Sequence, residues 1–197
     1  MPAGRIYCET EIGVGQTVLL SESASHYVSR VLRLREGDSV VIFNGHGGEY
    51  SATVVAASKK HVELSVSQFF EVDNESRLKI ELGLGIVRGE RMDFAIQKAV
   101  ELGVTTLTPL FTNRSNIKLD STRAAKRLAH WQAIAISASE QSGRCFVPKI
   151  QTPLSLTAWL EKQPSPGFIA DPASQKKLPA SHVNDQVNVL VGPEGGF

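Results

Sequence analysis

Near its C-terminus the chain reads Val187-Asn-Val-Leu-Val191 and then Gly192-Pro193-Glu194-Gly195-Gly196. The apolar, β-branched run has the length of a buried strand. Glycines after such a strand let backbone come close to a ligand, because no side chain intervenes. In open α/β sheets, ligands sit beyond the carboxyl ends of the strands. Gly192 to Gly196 are therefore the first candidates for a cofactor site. Asp171 and Pro172, which follow the strand candidate Gly167–Ala170, are candidates for its second wall. The loop is not a phosphate loop of the P-loop type, since no Lys-Ser/Thr pair follows its last glycine, and it is not G-x-G-x-x-G.

Three charged stretches lie upstream. Arg88-Gly-Glu-Arg-Met-Asp93 falls where a strand gives way to a helix, where two arginines could bind an anion. A solvated first helical turn, with Asp93 favouring the dipole, explains it equally simply. Asn113-Arg-Ser-Asn-Ile-Lys118, followed by Arg123, Lys126 and Arg127, sets five basic residues against one acid, Asp120. Such a cluster suits phosphate contact, or is merely a wet helix face. Glu140-Gln-Ser-Gly-Arg144 could read a base edge or orient a catalytic group; alternatively it is a helix terminus stopped by Gly143. No Ser-His-acid or Cys-His spacing is legible. The five histidines are scattered, and no metal is expected.

The elements that must carry these residues form two blocks. Residues 1–72 read as a small barrel, with strands at Arg5–Glu9, Thr17–Ser21, Ser39–Phe43, Glu49–Ala56 and His61–Phe69. Within it Ser23–Arg33 has helical spacing, with Tyr27, Val28, Val31 and Leu32 on one face. Glu71–Arg77 is a polar linker. Residues 78–197 alternate strand and helix, the pattern of an α/β domain with a largely parallel sheet. Strands are expected at Leu78–Val87, Val104–Phe111, Gly167–Ala170 and Val187–Val191. Helices are expected at Gly89–Gly103, about Ser121–Ser142 and Leu154–Lys162. Trp131 falls at core spacing. A net charge of +1 does not itself announce a nucleic-acid partner. The two distant cysteines, Cys8 and Cys145, suit a reducing compartment, and no signal peptide or membrane span is legible. A cytoplasmic protein is expected.

Taken in order, these motifs resemble the bacterial RsmE family. They are His26-Tyr-Val-Ser-Arg-Val-Leu-Arg33, Arg35-Glu-Gly-Asp38, Arg91-Met-Asp-Phe-Ala-Ile-Gln-Lys98, Glu101-Leu-Gly-Val104, Pro109-Leu, Asn113-Arg-Ser115, Trp131, Glu140–Arg144, Pro148 and Gly192–Gly196. The resemblance implies a PUA-like β-barrel joined to a SPOUT domain, an α/β sheet whose C-terminal part is threaded as a trefoil knot. It implies S-adenosylmethionine as cofactor, methylation of N3 of a uridine in 16S ribosomal RNA, and a homodimer. Family members continue past the glycine loop, so a natural chain is expected to extend beyond Phe197. A form ending there is expected to lack the knot segment and to bind cofactor weakly.

Methyl transfer to N3 needs the nitrogen's proton removed and the resulting anion stabilised. On the resemblance, Arg114, Arg144 or Arg91 stabilises that anion, and Glu140 or Glu194 is the base. Arg30, Arg33, Lys59, Lys60, Arg88 and Lys118 are candidates for RNA contact. A non-catalytic RNA-binding protein is the alternative reading. A nucleotide-dependent enzyme fits less well, because Val87-Arg-Gly-Glu90 lacks a glycine fingerprint.

Overall fold

The computed structural model describes residues 4–112, 121–163, 167–171, 173–175, 185–193 and 196, with only the backbone of Ser121. The chain forms two compact units. Unit 1 comprises Met1–Glu75 and Ser139–Val147; unit 2 comprises Ser76–Ala138 and Pro148–Phe197. The break between them at Glu75/Ser76 lies within the polar stretch Glu71–Arg77. Ser139–Val147, in contrast, clusters with unit 1, although Ser139–Ser142 are the last turn of a helix, Ser121–Ser142, whose earlier residues cluster with unit 2.

Unit 1 is a five-stranded sheet: β1 (Arg5–Tyr7), β2 (Thr17–Leu19), β3 (Ser39–Phe43), β4 (Glu49–Ala57) and β5 (Val62–Phe70), in the order β1-β3-β4-β5-β2. Only the β1–β3 pairing is parallel. Alternate residues point inward: Val40 and Ile42, Ala52 and Val54, Val62, Leu64 and Val66 are all buried. Fully burying a side chain of this size stabilises by about 1.5–3 kcal/mol, so this alternation fixes the strand register.

Helix α1 (Glu22–His26) is capped by Ser21, whose Oγ accepts the Ala24 N–H. It passes into a π-helical turn, Tyr27–Val31, closed by the Leu32 N–H donating to the Tyr27 carbonyl at 3.0 Å. The spacing predicts one regular helix with Val28 and Val31 on the same face. The wider turn rotates them apart: Val28 is 0% exposed and Val31 61%. Arg33, just beyond, has φ 56°, the only positive φ outside glycine among the described residues.

Unit 2 runs β6 (Lys79–Gly85), α2 (Glu90–Glu101), β7 (Thr106–Phe111), α3 (Ser121–Ser142), β8 (Lys149–Ile150), β9 (Leu154–Ser155), α4 (Leu156–Leu160), β10 (Gly167–Ala170) and β11 (Gln186–Val191). The sheet order is β10-β11-β6-β7-β8, with β9 also on β7, and every pairing is parallel. Met92, Ile96, Ala99 and Val100 of α2 and Trp131, Ala135 and Ala138 of α3 pack against Leu82, Leu84, Ile86 and Leu107 of the sheet. Helix α4 is shorter than its sequence predicts. Leu154 and Ser155 pair with Leu110 and Phe111, and the Ser155 Oγ then caps the helix by accepting the Ala158 N–H.

Candidate functional site

Because β10, β11, β6 and β7 are parallel, their carboxyl ends share one edge of the unit 2 sheet. The register pairs Val191 with Ala170 on one side and with Leu84 on the other. Asp171 and Gly192 therefore leave adjacent strand ends, and Gly85 ends β6 beside them. The glycine loop lies on Gly85: a Cβ there would stand 2.5 Å from Pro193 Cδ and 3.1 Å from the Gly192 carbonyl carbon. The Gly196 N–H donates to the Pro193 carbonyl at 2.8 Å. Gly196 has φ 72°, a conformation that glycine adopts without strain. Asp171 shapes its own turn, its Oδ1 accepting the Ala173 N–H at 2.9 Å.

The segment after Gly85 brings charge to the same edge. Arg88 and Arg91 are both exposed, at the β6–α2 junction. Gly89 starts α2 with φ 57°, and no side chain caps the helix there. Asp93, in the first turn, faces His130 of α3, with Oδ2 to Nε2 at 2.9 Å. The structure thus brings together Gly192, Pro193, Gly196, Asp171, Arg88 and Arg91 along one sheet edge. Arg114, Lys118, Pro172, Glu194 and Gly195 lie outside the described residues.

Glu140 and Arg144 belong to unit 1. The Glu140 Oε1 accepts the Tyr7 N–H at 2.9 Å. Burial pushes the Glu140 carboxyl above its ordinary range, opposed by the Tyr7 hydrogen bond and the charge of Arg5. Arg144 is 6% exposed and grips the Glu75 carboxylate. Arg5, which the sequence did not single out, organises the segment around them. Its guanidinium donates to the carbonyls of Ser139 and Arg144 at 3.1 and 2.8 Å, pairs with Glu49 and lies 3.8 Å over the Phe43 ring. A cation on the last carbonyls of a helix satisfies acceptors that the helix itself leaves open. Buried beside this network, the Cys8 thiol is pushed up to about 12, by burial first and then by the charge of Glu140.

The basic residues of unit 1 gather at one end of its sheet. Arg30 and Arg33 are exposed on and after the π-helical turn. The Gly37 N–H and the Asp38 carbonyl bond to Val54, at the end of the β3–β4 ladder nearest the β4–β5 turn. That turn carries Lys59 and Lys60, both exposed, and Lys60 pairs with Glu22 of α1 at 2.8 Å. Among the described residues no group of three or more His, Cys, Asp or Glu could hold a metal ion, and no helix is long and apolar enough to cross a membrane.

Comparison with known proteins defines the class. Residues 74–197 match the family model of an RNA methyltransferase domain, and residues 20–67 that of an RNA methyltransferase PUA domain. The fold is accordingly an α/β methyltransferase domain preceded by a PUA-like domain. A ribosomal RNA small subunit methyltransferase E from Buchnera aphidicola of Acyrthosiphon pisum is 33% identical over 98% of this chain and 78% of its own length. The crystal structure of the methyltransferase of that name from Neisseria gonorrhoeae, bound to S-adenosylmethionine, is 39% identical, with a TM-score of 0.91 over 98% of this chain and 81% of that one. A Legionella pneumophila protein assigned as a methyltransferase and solved with S-adenosylmethionine bound gives 36% identity and a TM-score of 0.90 over the same shares. The chain belongs to the RsmE family of ribosomal RNA small subunit methyltransferases.

Proposed function

We propose that this protein transfers a methyl group from S-adenosylmethionine to N3 of a uridine in the 16S ribosomal RNA of the small subunit. The observation that carries the reading is the seating of Gly192–Pro193 across Gly85, at the edge that also bears Asp171, Arg88 and Arg91. Half-buried glycine main chain, a carboxylate and arginines there suit a ligand that combines an amino acid, a sulfonium and a nucleoside. Gly192, Pro193, Glu194, Gly195 and Gly196 would hold it on one side, Asp171 and Pro172 on the other. Bound there, the cofactor supplies an electrophilic methyl group.

The remaining chemistry falls to the chain. N3 of uridine must give up its proton, and the negative charge then spreads over the base. Arg91 at the cofactor edge stabilises that charge, with Arg114 as a second candidate; Glu194 is the candidate base. Arg144 and Glu140 are already engaged by Glu75 and Tyr7, an arrangement that suits holding the segment between them. Arg30, Arg33, Lys59 and Lys60 hold RNA phosphates on unit 1, and Arg88 and Lys118 do so on unit 2. In this reading the protein is a cytoplasmic homodimer, and unit 2 is a SPOUT domain of the knotted class.

Incubating the protein with labelled S-adenosylmethionine and unmethylated small subunits tests the reading. Digestion of the RNA to nucleosides is expected to yield labelled 3-methyluridine. Label on another nucleoside, or RNA binding with no label at all, overturns it.

A further inference from the structure

Gly85 has a reason to be glycine that differs from those of the turn glycines. It lies at the end of an extended strand, and it is not among the glycines with positive φ. Its backbone would accept any residue; only the space beside it would not. A Cβ at this position would stand 2.5 Å from Pro193 Cδ, 2.6 Å from Pro193 N and 3.1 Å from the Gly192 carbonyl carbon. Ordinary carbon contacts need about 3.5–4 Å. What it would meet is a ring and main chain, with no flexible side-chain tip to swing aside. Relief therefore requires Gly192–Pro193 to move outward by roughly 1 Å.

We infer that Gly85 is a positioning residue for S-adenosylmethionine: the bare end of β6 is the seat that fixes the height of the glycine loop above the sheet edge. The inference rests on the cofactor assignment of the preceding subsection and deepens it. Nearby Gly83 makes the contrast. It lies two residues earlier on the same strand, and a Cβ there would meet Leu110 and Trp159 side chains at 2.9–3.0 Å, away from the loop. Gly83, on the same face of β6, serves packing against Leu110 and Trp159; Gly85 serves the loop.

The test is titration of S-adenosylmethionine into the wild type, Gly85→Ala and Gly83→Ala, with thermal unfolding of each unliganded protein. Misplacement by an ångström can cost about a hundredfold, so the Kd of Gly85→Ala is expected to rise at least about tenfold. Its affinity for a small-subunit RNA fragment should stay at the wild-type value. Gly83→Ala should lower Tm with no change in cofactor Kd. Cofactor Kd unchanged in Gly85→Ala overturns the inference, as does an equal loss in both variants, which would mark general damage to the sheet. If the wild type itself does not bind the cofactor, the assignment of the loop fails first, and the inference with it. Should Gly85→Ala not fold, Gly85→Ala/Pro193→Ala, which removes the clashing Cδ but leaves the main-chain clash with the nitrogen of residue 193 and the Gly192 carbonyl carbon, is compared with Pro193→Ala alone. Weaker cofactor binding by the double variant supports the seat; equal binding overturns it.

Discussion

Arg144 and Glu75, far apart in sequence, form an ion pair with two donors: Nη2 to Oε2 at 2.6 Å, and Nε to Oε2 at 2.9 Å and to Oε1 at 3.2 Å, with the two side chains only 7% and 15% exposed. A planar guanidinium against a carboxylate is the strong form of this interaction. Removing one partner takes the ion pair from a nearly buried charge, which costs about 3–5 kcal/mol. Glu75→Ala and Arg144→Met should each lower stability by about that amount, read from urea unfolding. The double variant Glu75→Leu/Arg144→Met, with both charges gone, should recover most of the loss. The same double variant separates two roles for Arg144. If Arg144 only holds its segment, methylation returns with stability; if it meets the uridine anion, methylation stays low. A double variant as unstable as the singles would show that the pair is not what holds the segment.

Glu140 gives stability a pH dependence whose sign can be worked out. Its carboxyl is raised, by burial first, while the Tyr7 N–H and the Arg5 charge act the other way, and Cys8 lies close enough to feel its charge. A raised carboxyl means that the folded state binds the proton more tightly than the unfolded one. The contribution is therefore fully present below the ordinary value of about 4.3, and is lost as pH rises through the raised one. Glu140→Gln keeps a carbonyl for the Tyr7 N–H and removes the titration. Urea midpoints measured from pH 4 upward should fall more steeply for the wild type than for Glu140→Gln just above pH 4. Above the raised value the two curves should run parallel. Curves that are parallel throughout, or that diverge in the opposite sense, would exclude this role for burial.

Much of this architecture could be read from residue pattern, and the omissions have local causes. The 3.6-residue spacing of Leu128, Trp131, Ala135 and Ala138 gave α3 its bounds, and the β-branched run of Ser39–Phe43 gave β3. Two-residue strands such as Lys149–Ile150 have no period to detect; they exist because β7 offers free backbone beside them. The π-helical turn is invisible to a 3.6-residue template, since one extra residue in the turn changes which side chains share a face. At the candidate site, the glycine loop and the arginines near it stand out in the sequence because their types are unusual for a strand end. Gly85 was not, because a glycine closing a strand gives no sign of what will lie across it. Glu75 looked like one more polar linker residue, and Arg5 like an ordinary strand residue. Their partners Ser139 and Arg144 come from the last turn of α3 and just beyond it, and only the fold brings them together.

Arg33 couples a backbone cost to the proposed RNA-binding surface. A left-handed conformation costs a non-glycine residue roughly 1–2 kcal/mol, and φ 56° places Arg33 there, exposed just past the π-helical turn. Strain of this kind persists where the residue's position is needed. Arg33→Gly should therefore act in opposite directions on two measurements. Relief of the left-handed conformation, less the freedom that glycine adds to the unfolded chain, should raise stability by about 0.5–1 kcal/mol in thermal unfolding. Loss of one phosphate contact should weaken RNA binding and flatten the dependence of log K on log salt by about one unit. Arg33→Lys, which keeps the charge, should retain most of the slope without the gain in stability. An Arg33→Gly variant that binds RNA with an unchanged salt slope would remove Arg33 from the RNA surface, whatever its stability. A loss of stability would show that the arginine side chain, and not its backbone conformation, is what the fold needs at this position.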